Sequence, residues 1–330
     1  MRRGFERVSK LWIVTGLLFG GVMLYVAGRQ VDAAALSKVL GEVDPGYVAL
    51  ALVAAVSFLY VKAWRWSLLL SPLRRVGALA LAPAVCVGTA ANLIVPHAGE
   101  FTRVLMVNDR QSLPTSALLA SIAVERLFDF GAVLTFLGLM LLAQSQMPQV
   151  LISASIVAGA MFLVLLGASA FAVYRASMAL RCLGVLLGPL PQRWRASLLE
   201  YAAGGIAGLT SLRQAHVLMK VSLVSLLMWL TILVIIFASI HAVGAGGPLA
   251  AVVAVLVLMV AGLTLPAAPV YVGTTQMAFG LGLAPFGVGS AQSLGASLVY
   301  TLFGLLPMLA IGGGYFLLHR SGKRAAASTR

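Results

Sequence analysis

The 330 residues are 61% hydrophobic and only 10% charged, with a mean hydropathy of +1.02. That balance excludes a soluble globular domain, and it implies a single polytopic membrane bundle over 1–330. The net charge of +14 is spread as expected for the cytoplasmic loops of such a bundle, so it does not argue for a nucleic-acid partner.

The chain opens with the basic stretch MRRGFERVSK ahead of an apolar run that continues to about Ala27. No clean small-residue cleavage site follows, so this reads as a retained first helix and not as a signal peptide. A span needs roughly 20 apolar residues. About six full spans are predicted, over 11–27, 47–61, 114–143, 150–174, 217–241 and 291–318. Two more apolar segments, 76–95 and 249–284, are interrupted by Gly and Pro.

Basic residues gather in 1–10, 62–75, 175–216 and the tail 319–330, whereas 28–46 is slightly acidic and 144–149 and 242–248 are uncharged. The bias puts both termini in the cytoplasm, and the expected setting is the bacterial cytoplasmic (inner) membrane. Parity then requires 76–95 to enter from the cytoplasm and return, and 249–284 to do the same from outside. Broken segments in matching positions of two halves point to a transporter site, so two re-entrant helical hairpins with inverted pseudo-symmetry are expected. The basic stretch 175–216 carries spaced arginines, Trp194 and Tyr201 among apolar residues, and is predicted to form amphipathic helices on the inner leaflet.

Four places carry the polar chemistry. In VKAWRWSLLL, Trp64, Arg65 and Trp66 end an early span. They either anchor the helix at the interface, or Arg65 offers its planar fork to a lipid phosphate. In NLIVPHAGEFTR, Pro96 stops a helix near Asn92 and Gly99 permits a tight turn. Glu100 and Arg103, three apart, then share a helix face. This is either a polar re-entrant tip for a headgroup or a helix-start cap beside an ion pair.

In IAVERLFDF, Glu125 and Asp129 are four apart on one face and Arg126 is offset by one position. Charges inside a span cost at least ~2.5–3.5 kcal/mol each. They therefore belong to a buried ion-pair network, with Arg103 as one candidate partner, to a proton relay, or to a cationic headgroup site. In LPAAPVYVGTTQMAFG, Pro266, Pro269 and Gly273 break the chain before Thr274, Thr275 and Gln276. These polar groups serve either a substrate or the backbone groups that the prolines leave free. Arg103, Asp129 and Gln276 are expected to meet in one cavity near the midplane.

No nucleoside-triphosphate loop, dinucleotide turn or His/Glu metal motif is present in the sequence. The two cysteines, Cys86 and Cys182, form no disulfide framework. No cofactor, metal or catalytic residue is expected, and the chain is not expected to be an enzyme.

These motifs together resemble the transmembrane region of lysylphosphatidylglycerol synthases, whose members are often described as flippase-like integral membrane proteins. The resemblance extends over about 11–318. It rests on AWRW at 63–66, on Asn92, Pro96, Gly99, Glu100 and Arg103, on Glu125, Arg126 and Asp129, and on Pro266, Pro269 and Gly273. The chain departs from common members at His97 and Ala98, where they carry a basic residue. It departs again at Gln276, where they carry glutamate. The resemblance implies lipid handling, with those residues and Arg65 lining a path for a headgroup. The aminoacyl transfer of the synthases belongs to a cytosolic domain for which these 330 residues have no room.

The resulting expectation is an all-α polytopic membrane protein that binds or moves an amphiphilic phospho- or isoprenoid-type lipid, with an anionic membrane lipid as partner. The alternative is a non-transporting scaffold for a lipid- or glycan-modifying enzyme.

Overall fold

A computed structural model of the protein describes residues 15, 17–29, 31–71, 73–96, 98–143, 149–208, 214–262 and 268–328. The basic N-terminal segment 1–10, His97, Pro266 and Gln146 therefore lie outside the described residues. The described chain is built from helices: α1 (Leu17–Gly28), α2 (Ala33–Gly41), α3 (Pro45–Leu70), α4 (Ala78–Ile94), α5 (Ala98–Gln111), α6 (Thr115–Ala143), α7 (Gln149–Tyr174), α8 (Ala176–Leu186), α9 (Gln192–Gly208), α10 (Ala215–Ala242), α11 (Leu249–Gly262), α12 (Thr274–Leu283), α13 (Ser290–Val299) and α14 (Leu306–Ser328). A π-helical segment, Tyr300–Leu305, joins the last two.

Among the described residues, Pro45–Leu70, Ala215–Ala242 and Ser290–Leu318 are long and apolar enough to cross a bilayer. A fourth candidate, the end of α7 with α8, is bent by 114°. The 29-residue α6 has comparable length but carries Glu125, Arg126 and Asp129. The protein is an all-α polytopic membrane protein. Of the six predicted spans, 150–174 is the 26-residue α7 and 114–143 is the charge-bearing α6, while 11–27 lies partly outside the described residues.

The chain divides into two compact units. One comprises Met1–Leu59, Cys86–Gly99 and Leu230–Arg330; the other comprises Tyr60–Val85 and Glu100–Trp229.

In the first unit, α11 and α12 form the broken hairpin expected at 249–284. A side chain on Gly282 would strike the backbone of Val255, and Gly262 lies beside Thr274. These two pairings run in opposite directions along the chain, so the helices are antiparallel and in close backbone contact. With 14 and 10 residues, each is about 15–21 Å long at 1.5 Å per residue, short of the ~30 Å hydrocarbon core. The turn between them holds two unusual residues, Val270 (φ 58°) and Tyr271 (φ 55°), and then Gly273 (φ 88°).

The segment 76–95 differs from expectation. It holds one helix, α4, with Pro83 inside it, and the chain reverses only at Val95–Pro96, where α5 begins at Ala98. Pro96 is the effective stop, because a proline cannot donate to the preceding turn and its ring clashes there.

In the second unit, a continuous core joins five helices. Trp66 and Leu70 of α3, Leu81 and Val85 of α4, Val104 of α5, Leu118 of α6 and Val221 of α10 are all buried in it. Trp66 has no exposed surface, and its indole N–H donates to Ser121 Oγ at 2.9 Å.

Candidate functional site

The second unit gathers six charged side chains from three helices. Arg65 comes from α3, Glu100 and Arg103 from the start of α5, and Glu125, Arg126 and Asp129 from α6. Arg65 donates from Nη1 to Asp129 Oδ1 at 2.5 Å and lies 3.9 Å from Glu125 through Nη2. Arg103 pairs with Glu125, and Arg126 pairs with Glu100. Arg126 also reaches within 3.7 Å of Asp129 Oδ2. One turn of α5 thus presents an acid and a base to a base and an acid on α6.

Two aromatic groups complete the network. Trp229 of α10 donates its indole N–H to Asp129 Oδ1 at 3.0 Å. The Arg103 guanidinium lies 4.7 Å from the centre of the Trp66 ring, within cation–π range.

Arg65 is 1% exposed, which removes its reading as an interface anchor. The reason is helix length: α3 continues to Leu70, nine residues beyond the predicted end, so Arg65 lies within the helix against α6. Trp64 faces away and is exposed. Glu100 and Arg103, read as a headgroup tip or as a helix-start cap beside an ion pair, each form an ion pair across to α6. Arg126 sits at the margin, with half of its side chain exposed.

The three positive and three negative charges pair, with Lys62 of α3 also in electrostatic reach of Arg103, Glu125, Arg126 and Asp129, but their hydrogen-bonding capacity is not exhausted. Arg65 Nε, Arg103 Nη1, Glu100 Oε2 and Glu125 Oε1 are buried without a hydrogen-bond partner among the described residues. Buried polar groups are normally satisfied. The site therefore holds two donors and two acceptors able to receive a polar group or ordered water.

A cavity of about 550 Å³ lies in the same unit, walled mainly by Leu127, Phe128, Phe162, Leu166 and Leu226 of α6, α7 and α10. That is within the ~300–1,000 Å³ range of ligand pockets. Ser169, Thr135 and Ser222 line it too, yet each donates its hydroxyl to a carbonyl of its own helix, so the wall is predominantly apolar. Ser225 also lines the cavity, and its Oγ is 3.4 Å from Arg65 Nη1. The apolar cavity and the ion network meet at this hydroxyl.

The other sequence-predicted residues that are described lie in the first unit, where they hold backbone. The Asn92 side-chain carbonyl accepts from the Gly99 N–H at 2.6 Å, and Gly99 is so close to Gly88 and Asn92 that no Cβ fits. Pro96 occupies the intervening turn. Pro269 begins the irregular turn before α12. Gly273 packs against the Gly20 backbone, and its N–H donates to Gln276 Oε1 at 2.6 Å. Gln276 is 2% exposed and reaches Thr301 Oγ1 at 3.5 Å. Thr274 donates to the Tyr271 carbonyl at 2.9 Å. The polar groups after the prolines thus serve the local backbone. Of the three residues expected to share one cavity, Arg103 and Asp129 belong to the second unit and Gln276 to the first.

Sequence reasoning passed over Ser225, Ser121 and Trp229. The signal for Trp229 was its place deep inside the apolar α10, away from the interfaces where membrane tryptophans concentrate. No group of three or more metal-ligating side chains occurs among the described residues.

Comparison with known proteins agrees with this architecture. A stretch of 139 residues, 40% of this chain, is 33% identical to Glycosyltransferase AglD of Haloferax volcanii. The matched stretch spans only 22% of that protein. No solved structure matches the chain. The family described as Lysylphosphatidylglycerol synthase TM region matches residues 13–312. That match takes in the ion network, the cavity and both broken segments, and the chain belongs to this family.

Proposed function

We propose that the protein binds an amphiphilic lipid in its second unit and carries it between leaflets. The apolar chain occupies the cavity between α6, α7 and α10, and the headgroup reaches the ion network. The observation that carries this reading is Ser225, which lines the apolar cavity and stands 3.4 Å from Arg65. The unpartnered donors on Arg65 and Arg103 suit a phosphate, and the unpartnered oxygens of Glu100 and Glu125 suit hydroxyl or ammonium hydrogens. Membership of the synthase transmembrane family and similarity to part of a glycosyltransferase support a role in lipid or glycan pathways. An anionic phospho- or isoprenoid-type lipid fits these features, and the chain itself carries no chemical step.

Reconstitution with a panel of labelled lipids, scored for leaflet exchange, tests the proposal. Ser222→Trp is expected to fill the half-buried cavity wall and abolish exchange of the active lipid while the protein still folds. Exchange at the wild-type rate in that variant would overturn the assignment of the cavity. A second reading, a membrane scaffold for a glycan-modifying enzyme, is favoured by the glycosyltransferase similarity. Absence of exchange for every lipid, with co-purification of such an enzyme, would select it.

The orientation proposed has both termini in the cytoplasm of a bacterial inner membrane. In a background lacking Cys86 and Cys182, a cysteine at Ser37 is expected to react with an impermeant reagent from outside. A cysteine at Arg195 is expected to react only after permeabilisation. Labelling at Arg195 from outside would reverse the orientation.

A further inference from the structure

The helices α8 and α9 carry apolar surface that the lipid-transfer reading does not use. On α8, Met178, Cys182, Val185 and Leu186 follow the i, i+4, i+7, i+8 pattern of one helix face. All four are exposed, Val185 and Leu186 to 76% each. On α9, Trp194, Leu198 and Tyr201 follow i, i+4, i+7, and all are exposed. These stripes do not result from a poorly packed helix. The other side of α9 is in contact, since Gly204 and Gly205 press on Ser116 and Ala120 of α6.

The charge beside the stripes is one-sided. Arg175, Arg181, Arg193 and Arg195 are exposed, and Glu200 is the one acid between 175 and 208. The Arg193 guanidinium lies 5.8 Å from the Trp194 ring centre, so cation and aromatic are presented together. Direction supplies the third observation: α8 leaves the apolar α7 at 114°. If α7 crosses the bilayer, α8 runs close to its plane.

An exposed apolar stripe, a flanking row of arginines and an in-plane direction are the attributes of an interfacial helix. We propose that α8 and α9 form a platform docked on an anionic bilayer surface, with Met178, Cys182, Leu186 and Trp194 at the headgroup–acyl boundary and Arg181 and Arg193 among the lipid phosphates. A polar protein partner would not match stripes of this apolarity, and a second copy would set the same arginines against each other. The proposal stands whether or not the second unit transfers lipid.

Cys182 lies in the middle of the α8 stripe and is a native probe, because Cys86 is buried and can be replaced by alanine. The full chain would be labelled there with an environment-sensitive fluorophore and placed, one copy each, in nanodiscs. The discs would contain phosphatidylcholine alone or mixed with phosphatidylglycerol. The expected result is blue-shifted emission and protection from aqueous iodide, both greater in the anionic discs. Each arginine near an anionic surface contributes roughly a fivefold bias. Arg181→Gln with Arg193→Gln is therefore expected to remove an advantage of about 25-fold for the anionic discs and leave the neutral-disc signal unchanged. High salt should do the same to the unmutated chain, which provides a second measurement if the double variant fails to fold. Equal iodide access in both discs with water-like emission would overturn the proposal. So would protection that is insensitive to lipid charge, or protection that develops only with two copies per disc.

Discussion

Arg65→Leu is expected to destabilise the protein by about 3–5 kcal/mol, the cost of leaving one member of a buried ion pair alone. Arg65 is 1% exposed and is the contact that joins α3 to Asp129 at 2.5 Å. Its loss leaves Asp129 with the indole N–H of Trp229 and the more distant Arg126. Thermal unfolding of purified protein in detergent, followed by intrinsic fluorescence, would report the change. Adding Asp129→Asn is expected to recover much of the stability, because a neutral amide still accepts from Trp229 while no unpaired carboxylate remains. Leaflet exchange should not recover in the double variant if the network receives a headgroup. Arg126→Leu should cost much less, because half of its side chain is already in contact with the surroundings. A melt as severe for Arg126→Leu as for Arg65→Leu would contradict this distribution of burial.

Gly273→Val should be the most damaging single change in the first unit. Gly273 has φ 88°, and a Cβ there would meet the Gly20 backbone. A left-handed conformation costs an ordinary residue about 1–2 kcal/mol, and forcing extra atoms into a packed position costs roughly 1–3 kcal/mol more. The same position starts α12, where the Gly273 N–H is held by Gln276. The substitution is expected to lower the melting temperature and to open the α11–α12 hairpin to protease. Gln276→Glu preserves an acceptor for that N–H and so should be tolerated, which makes it the matching control. Full stability of Gly273→Val would mean that the turn relaxes freely.

Features governed by the local backbone were readable from the sequence. Pro96 stops α4 and Gly273 takes a left-handed conformation because ring closure and a missing Cβ act within a few residues. The 3.6-residue period likewise placed Glu125 and Asp129 on one face, and the exposed position of Arg126 follows from the same rotation. Hydropathy identified a polytopic helical membrane protein, because apolar length and composition decide whether a helix enters the bilayer.

Tertiary structure decided which charges pair. Arg65 and Asp129 are 64 positions apart, and Asp129 and Trp229 are 100 apart. No local pattern encodes either contact, since each depends on which helices become neighbours and on their axial register. The same applies to the fate of the polar groups near Pro269. Read alone, Thr274 and Gln276 suit a substrate as well as a backbone. Tyr271 and Gly273 are local partners, three positions away, but the Thr301 partner of Gln276 is supplied only when the π-helical segment packs beside α12. Sequence determined the solvent this protein requires and where its helices break, because those follow from composition and single-residue sterics. The ion network and the cavity beside Ser225 arise only when distant helices pack, because burial makes an unpaired charge costly and so selects particular partners.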